Sequence, residues 1–424
     1  MDGTSTKPVL TKAPAYRWWI LVMNLLIYSV FYISLNAAAA FTVQIQDQWH
    51  TNATMINMLT TVAQLVYVIF CTIGAAMATK IGNKQTVVVA GILLIVSSAV
   101  FPLVGNSYVG ATALRVLQGA AGGIMSSVVV STVPLWFPIK QRGLASGILF
   151  GCIGFGFSIT VAGGNLFLGL GFNWQASLAL LVCIPGAIIT ALYWFTVKSV
   201  SDVYPGYYAI ADLMPALAAE SSDAPVTVDK NLPTTMKEAR KDKKVLSLSL
   251  IGFACSWLIL GFGAFLPFLL TNDLGVESSF ATAIMSLTFL AGVVGSIFGG
   301  VISDTIFKGS RWQTLVISGL LAAVGLLCLL FVHGDMLVMV MLMLAYCGAN
   351  LYMGPLWACV PNIVQPQIAG ETTAFANTIT NIGGLAAAPV LAMAIDITGT
   401  AMPALIICVV LALASCVAAR VVHV

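Results

Sequence analysis

Residues 85–105, QTVVVAGILLIVSSAVFPLVG, contain no charged side chain and are long enough to cross a bilayer as one helix. Eleven further apolar runs of similar length lie on either side of this stretch. Their approximate ranges are 18–41, 55–78, 109–136, 143–165, 175–197, 245–270, 279–302, 312–332, 336–358, 372–395 and 401–420. The pattern predicts an all-α membrane protein with twelve transmembrane helices.

The composition excludes several classes of protein. The chain of 424 residues is 59% hydrophobic and 8% charged, and its mean hydropathy is +1.00. Soluble domains contain about 25% charged residues, so a water-soluble protein is excluded and the spans leave no room for a catalytic domain. The nine cysteines lie singly, and neither a basic patch nor a Walker sequence is present. We therefore expect no cofactor, no metal, no nucleic-acid partner and no enzymatic activity.

One long polar segment divides the chain. Residues 198–244 carry 14 of the 33 charged residues and separate six spans from six more. The two halves also resemble each other at an offset of roughly 225 to 230 residues, as in transporters built from two repeated bundles. We predict a bundle at 1–197, a cytoplasmic linker at 198–244 and a second bundle at 245–424, with a pseudo-two-fold axis between the two six-helix bundles.

The charged residues predict the orientation. With both termini cytoplasmic, 17 of the 18 Lys and Arg residues fall on the cytoplasmic side, and the exception is Arg115. An excess of basic residues marks cytoplasmic loops. We expect a multi-pass protein of the plasma or bacterial inner membrane, in contact with lipid and monomeric.

Several motifs resemble those of the major facilitator superfamily over essentially the whole chain. They are Lys80, Gly82 and Lys84 after the second span, Arg115 to Gly119 in the fourth, Trp136 to Gly147 around the next loop, and Gly300 to Arg311 after the eighth. The stretch Trp136 to Gly147 resembles the oxalate/formate exchanger branch, and Gly300 to Arg311 resembles the organophosphate and anion/cation symporter branches. This resemblance implies an organic anion as the solute. The first, seventh, eighth and eleventh spans lack the basic residues that those branches use, which disfavours a phosphate ester or a dianion.

Polar and aromatic side chains recur at three- and four-residue spacing within the spans, as the lining of a cavity requires. Arg115 is the one charge well inside a span, and its guanidinium could bind a carboxylate in a forked geometry. A structural role for Arg115 is the alternative. The candidate solute-binding residues are Arg115, Gln118, Tyr28, Tyr32, Asn36, Gln64, Tyr67, Trp257, Tyr346, Asn350, Asn377 and Asn381. Phe150 is a candidate for an apolar wall of the cavity, and Thr380 and Trp357 belong to the same periodic patterns. Interhelical hydrogen bonding is the competing explanation for each neutral one.

Charges at the cytoplasmic ends predict a gate. We expect Asp304 to lie near Arg142 and the start of the fifth span, where the helix N-terminus attracts a carboxylate. The equivalent pair joins Lys80 or Lys84 to Glu371. Glycines such as Gly154 in the fifth span and Gly295 in the eighth predict close helix approach.

These patterns favour a secondary transporter of a small organic anion, most simply a carboxylate, that works by alternating access. No Asp, Glu or His lies well inside a predicted span, which favours exchange or facilitated diffusion over proton symport. A proton-coupled or facilitative carrier of a small neutral polar solute is the alternative.

Overall fold

The computed structural model describes residues 13–137, 141–205, 210, 232–307, 310–332, 334–365 and 368–422. Twelve helices in this part of the chain are long and apolar enough to cross a membrane. They are α1 (Tyr16–Ala40), α2 (Thr54–Ile81), α3 (Asn83–Val104), α4 (Tyr108–Val133), α5 (Gly143–Gly169), α6 (Trp174–Thr196), α7 (Lys243–Asp273), α8 (Ser279–Thr305), α9 (Arg311–Cys328), α10 (Asp335–Val360), α11 (Phe375–Thr398) and α12 (Met402–Val421). Each overlaps one predicted span, which confirms the fold class.

Polar side chains set several helix starts. The Asn52 side-chain oxygen accepts a hydrogen bond of 3.0 Å from the Met55 backbone N–H at the start of α2. At the start of α7, one Asp242 carboxylate oxygen accepts from the backbone N–H groups of Lys244 and Val245. Such caps satisfy backbone donors that have no partner within the helix.

The helix contacts repeat with a period of six helices. The pairs α1–α5, α2–α4 and α3–α6 in the first half have counterparts in α7–α11, α8–α10 and α9–α12. The two halves meet mainly through α2–α11 and α5–α8, which are themselves related by the same period. This arrangement is the predicted pair of six-helix bundles with a pseudo-two-fold relation.

Two of the membrane-spanning helices, α5 and α10, are interrupted. The helix at Arg142–Phe150 ends at Gly151, and α5 continues from Cys152. The helix at Asp335–Asn350 ends at Leu351, and α10 continues from Met353.

The glycines of α5 allow the two bundles to approach closely. A methyl group at Gly154 would overlap the backbone carbonyl oxygen of Phe289 in α8, and one at Gly147 would overlap that of Ser296. The glycines of α8 serve a different contact, because Gly295 packs against the backbone of α10. Small residues therefore permit close packing both between and within the bundles.

The ends of the bundle can be distinguished by what connects there. We call the end at which α1 begins and α6 ends the linker side, and the opposite end the far side. At the far side, the Thr54 backbone N–H of α2 donates to an Asp396 carboxylate oxygen of α11 at 3.1 Å, and the Thr54 hydroxyl donates to the same oxygen. The Asn165 side-chain amide of α5 donates to the Thr282 hydroxyl of α8 at 2.9 Å. All three bonds join the two bundles.

Candidate functional site

A cavity of about 630 Å³ lies between the two bundles. Its lining comes from α1, α2, α4 and α5 of the first bundle and from α7, α10 and α11 of the second. Six predicted residues line it, together with the predicted Phe150, Thr380 and Trp357. The six are Tyr28, Tyr32, Gln64, Tyr67, Asn377 and Asn381.

Four aromatic side chains of α1 and α2 line the cavity. We call Tyr28, Phe31, Tyr32 and Tyr67 the aromatic wall, and all four line the cavity. The Phe31 and Tyr67 rings are stacked with centroids 5.4 Å apart, and the Tyr28 and Tyr32 rings meet edge to face at 5.1 Å. The Tyr28 and Tyr67 hydroxyls are hydrogen-bonded at 2.8 Å. The rings therefore support one another and use part of their polar capacity among themselves.

Three amide side chains also line the cavity. We call Gln64, Asn377 and Asn381 the amide wall; Gln64 belongs to α2 but lies beside α11, next to Gly384. One Asn381 amide N–H donates to the Asn377 backbone carbonyl at 2.8 Å, and the Asn377 side chain is exposed. Neutral amides can donate to an anion or bind a neutral polar group equally well.

The sequence interpretation missed three serines on α4. Ser126, Ser127 and Ser131 all line the cavity. Arg115, Gly119, Gly122 and Ser126 follow one another at spacings of four, three and four residues and therefore lie on one face of α4. The sequence interpretation followed this face only as far as Gly122, and the signal that it missed was the continuation of the same face to Ser126.

Two further cavity residues could not be deduced from a polar stripe. Cys71 of α2 lines the cavity, and its thiol lies 3.3 Å from the Ser126 hydroxyl. Phe31 is apolar and looks like any core residue in a membrane helix. Its place in the lining depends on the way α1 and α2 pack.

Arg115 lies outside the cavity in this conformation. Its side chain is 0% exposed and donates to the Ser34 backbone carbonyl at 2.5 Å and to the Gln118 side-chain oxygen at 3.0 Å. The guanidinium carbon lies 5.7 Å from the centre of the Phe101 ring. Direct contact between Arg115 and a solute remains a prediction.

Five other candidates also lie outside the cavity because they bond or pack within the protein. The Gln118 amide donates to the Ser98 hydroxyl at 3.1 Å, and the Asn350 amide donates to the Tyr346 carbonyl at 2.8 Å. The Tyr346 ring packs on Phe262 and Phe289. The remaining two, Trp257 beside Phe253 and Asn36 beside Gly263, are buried between helices.

The predicted gate is described only in part. The side chains of Arg142 and Glu371 are outside the described portion of the structure. Asp304 at the end of α8 lies against Gly143 at the start of α5, which is the neighbourhood expected for it. The Lys84 ammonium lies 4.9 Å from the centre of the Trp194 ring of α6, and Lys80 is exposed. Pairing of either lysine with Glu371 remains a prediction.

The chemistry available to the cavity is that of neutral groups. Its lining within the described residues contains hydroxyl, amide, indole and thiol groups, and no Lys, Arg, Asp, Glu or His. Among the same residues, no group of three or more His, Cys, Asp or Glu is placed to hold a metal ion. The cavity is suited to binding a solute rather than to acid–base or metal chemistry.

Comparison with curated proteins gives relatives that are named as transporters. The chain is 25% identical over 380 residues to the hexuronate transporter of Bacillus subtilis, with 87% of this chain and 84% of the relative covered. It is 22% identical over 421 residues to the probable galactarate/D-glucarate transporter GudP of the same organism, with 96% and 91% covered.

A solved structure has the same fold. The proton:xylose symporter XylE bound to 6-bromo-6-deoxy-D-glucose matches with a TM-score of 0.71 at 14% sequence identity, covering 96% of this chain and 95% of that one. The family model described as Major Facilitator Superfamily matches residues 23–388. The twelve membrane-spanning helices and the paired bundles with a cavity between them agree with this match. The protein is a multi-pass membrane transporter, not an enzyme, and it belongs to the major facilitator superfamily.

Proposed function

We propose that the protein is a secondary transporter that carries a small organic anion, a carboxylate, across the cytoplasmic membrane by alternating access. The observation that carries this proposal is the cavity walled by both bundles, whose lining includes the aromatic wall and the amide wall. A solute bound there contacts both halves, so movement of one bundle against the other can expose it to either side of the membrane.

Hydrogen bonds between the bundles, and the position of the cavity residues along their helices, support an inward-facing state, in which the cavity opens toward the cytoplasm. The bundles are bonded at the far side by Thr54 and Asp396 and by Asn165 and Thr282. The cavity residues of α4, α5, α10 and α11 belong mainly to the halves of these helices nearer the linker side. The basic residues favour a cytoplasmic linker side, with bundles at 1–197 and 245–424 joined by residues 198–244.

Two observations support an anionic solute. The relatives are named for hexuronate and galactarate/D-glucarate, which are organic anions. In addition, the contacts described for Arg115 are a carbonyl, an amide oxygen and a ring, with no carboxylate among them. A buried positive charge without an acidic neighbour makes the surrounding region favourable for an anion.

The lining supports exchange or facilitated diffusion. Proton symport usually requires a titratable group in the pathway, and the described lining offers no Asp, Glu or His. The same neutral lining supports the second candidate, a facilitative carrier of a small neutral polar solute. The two functions differ in whether a carboxylate or its uncharged amide is carried.

Counterflow in liposomes tests the proposal. Purified protein is reconstituted with an unlabelled carboxylate inside, and uptake of the same labelled compound is measured for a panel of monocarboxylates, glucuronate, neutral sugars and carboxamides. Uptake of a carboxylate above protein-free liposomes is the expected result. Uptake restricted to neutral compounds would exclude the anion function and support the neutral-solute carrier.

Alkylation of Cys71 is expected to abolish transport, because its thiol lines the cavity and a bulky group there would occupy the solute's volume. N-ethylmaleimide should inhibit counterflow, and a transported solute present in excess should slow the modification. A Cys71→Ser variant is the matched control and should retain activity after the same treatment. Equal inhibition of that variant would show that another of the nine cysteines is responsible.

Removing the far-side hydrogen bonds should shift the conformational equilibrium. Asp396→Ala removes the acceptor of both Thr54 bonds, and each bond contributes about 1 kcal/mol, so the inward-facing population should fall several-fold. The rate of Cys71 alkylation by an impermeant maleimide applied from the linker side measures that population. Ser201→Ala, an exposed change outside the bundles, is the control. An unchanged rate in Asp396→Ala would contradict the role given to these bonds.

A further inference from the structure

The chain that leads into α7 carries a dense group of positive charges. Residues 237–244, KEARKDKK, contain five Lys or Arg residues and two acidic residues, and α7 begins at Lys243. We call them the basic segment, and none of these described residues lines the cavity. We propose that the basic segment, together with Arg420 of α12, binds the headgroups of anionic phospholipids. This surface is separate from the solute site and is present whatever solute the cavity carries.

The two acidic residues of the basic segment are bonded to groups close to them in the chain. One Glu238 carboxylate oxygen accepts hydrogen bonds from the Thr234 backbone N–H and hydroxyl, at 3.0 and 3.1 Å. One Asp242 carboxylate oxygen accepts from the backbone N–H groups at the start of α7. With five positive and two negative side chains, the basic segment has a net charge of +3. A phosphate group from outside the protein is therefore attracted to it.

The positive side chains of the basic segment face outward. The short helix Met236–Ala239 is held on the second bundle by its apolar residues, since the Thr372 hydroxyl donates to the Met236 sulfur at 3.6 Å and Ala239 is fully buried. The exposed side chains that remain are cationic. They are Lys237, Arg240, Lys241 and Lys243.

Neighbouring residues place these cations at the edge of the hydrocarbon core. Leu246 and Leu250 of α7 are 44% and 43% exposed and, in a membrane-spanning helix, such residues face lipid. Lys243 precedes them at spacings of three and four residues and lies on the same helical face. The Arg240 guanidinium carbon lies 5.7 Å from the ring centre of Phe375, the first residue of α11. The cations thus lie where the apolar spans end and the headgroups begin.

A neighbouring helix brings a further positive charge to this edge. The helices α12 and α7 pack against each other, and Leu413 and Val417 of α12 are 42% and 68% exposed. Arg420 continues their helical face in the last turn of α12 and is also exposed. On two adjacent helices, therefore, an apolar face ends in a cation on the linker side.

This combination matches a phospholipid with a net negative charge. Its phosphate can bind the cations while its acyl chains lie along the exposed apolar residues of α7 and α12. Each Lys or Arg near an anionic membrane surface strengthens binding about fivefold, the equivalent of about 1 kcal/mol. A zwitterionic lipid offsets the attraction with its own positive group. The cytoplasmic leaflet carries a negative surface potential, which agrees with the cytoplasmic linker side proposed above.

Native mass spectrometry of the purified protein with phosphatidylglycerol or phosphatidylcholine tests the proposal. The first phosphatidylglycerol molecule should bind at least tenfold more tightly than phosphatidylcholine. Because two cations are removed, Lys241→Gln/Lys243→Gln should weaken phosphatidylglycerol binding at least tenfold and change phosphatidylcholine binding less than twofold. The matched control is Lys80→Gln/Lys198→Gln, which removes two exposed lysines from the linker side of the first bundle and should weaken binding less than threefold.

Two further variants keep the test independent of folding. Lys241→Arg/Lys243→Arg retains the charge and should bind phosphatidylglycerol like the wild type, and Arg420→Gln should weaken it about fivefold. Equal affinity for the two lipids, or an equal loss in the control and in Lys241→Gln/Lys243→Gln, would overturn the proposal. So would full displacement of phosphatidylglycerol by inorganic phosphate at equal concentration, since the surface would then bind a soluble anion and not a lipid.

Discussion

Replacing Arg115 with glutamine is expected to weaken carboxylate binding at least tenfold and to leave the binding of neutral solutes unchanged. The Arg115 guanidinium is fully buried, and its described contacts include no carboxylate, so its charge is not neutralised locally. At an effective dielectric constant of about 20, the attraction between two unit charges reaches about 1.4 kcal/mol, the equivalent of a factor of ten in affinity, when they are about 12 Å apart. The prediction therefore requires the carboxylate to bind within about that distance of Arg115.

Two further variants separate the charge of Arg115 from its hydrogen bonds. Arg115→Lys retains the charge and should retain most of the carboxylate affinity. Arg115→Leu removes the donor to the Ser34 carbonyl and to Gln118, which should lower the melting temperature because buried acceptors are left without a partner. Isothermal titration with benzoate and glucuronate, and thermal unfolding of each variant, provide the measurements. If Arg115→Gln binds carboxylates as well as the wild type does, Arg115 is structural and the neutral cavity alone binds the solute.

Replacing Gly154 with leucine is expected to reduce transport more than tenfold. Even a methyl group at this position would overlap the Phe289 carbonyl oxygen, so a leucine forces α5 and α8 apart at this contact. Overpacking of this kind costs about 1 to 3 kcal/mol. The conformation in which the two helices touch should therefore lose population.

Transport and cavity accessibility should respond together to that substitution. Counterflow measures the first, and alkylation of Cys71 from the linker side measures the second; both are expected to fall in Gly154→Leu. Gly169→Leu is the matched control, because the position at the end of α5 has open space around it. Normal counterflow in Gly154→Leu would show that α5 and α8 need not pack this closely during transport.

The membrane-spanning helices could be predicted from the sequence because each one depends only on the length and hydrophobicity of its own segment. Each span is an uninterrupted apolar segment of sufficient length, and a predicted span such as 279–302 corresponds closely to α8, Ser279–Thr305. The pairing of the bundles followed from the repeat between the halves. The gate could be located only approximately, since two of its side chains lie outside the described residues.

The candidate site could be predicted only in part because a polar residue in a membrane helix has two uses. Tyr28 and Asn377 line the cavity, whereas Gln118 and Asn350 bond within their own bundle, and periodicity alone does not distinguish these roles. In α10 the position along the helix also matters, because residues 346, 353 and 357 share one helical face. Tyr352, Met353 and Trp357 line the cavity, and the predicted Tyr346 before the break does not.

The uncharged lining of the cavity has an electrical consequence. A transport cycle returns every protein charge to its starting position, so the net charge moved is that of the solute and of any ion that accompanies it. With no titratable carboxyl or imidazole group described in the lining, a monocarboxylate that crosses alone moves one negative charge per cycle. A potential of 100 mV, negative inside, is equivalent to about 2.3 kcal/mol for that charge, or roughly a fiftyfold concentration ratio favouring efflux. Exchange of one monocarboxylate for another would be independent of voltage, so current recordings distinguish the two modes.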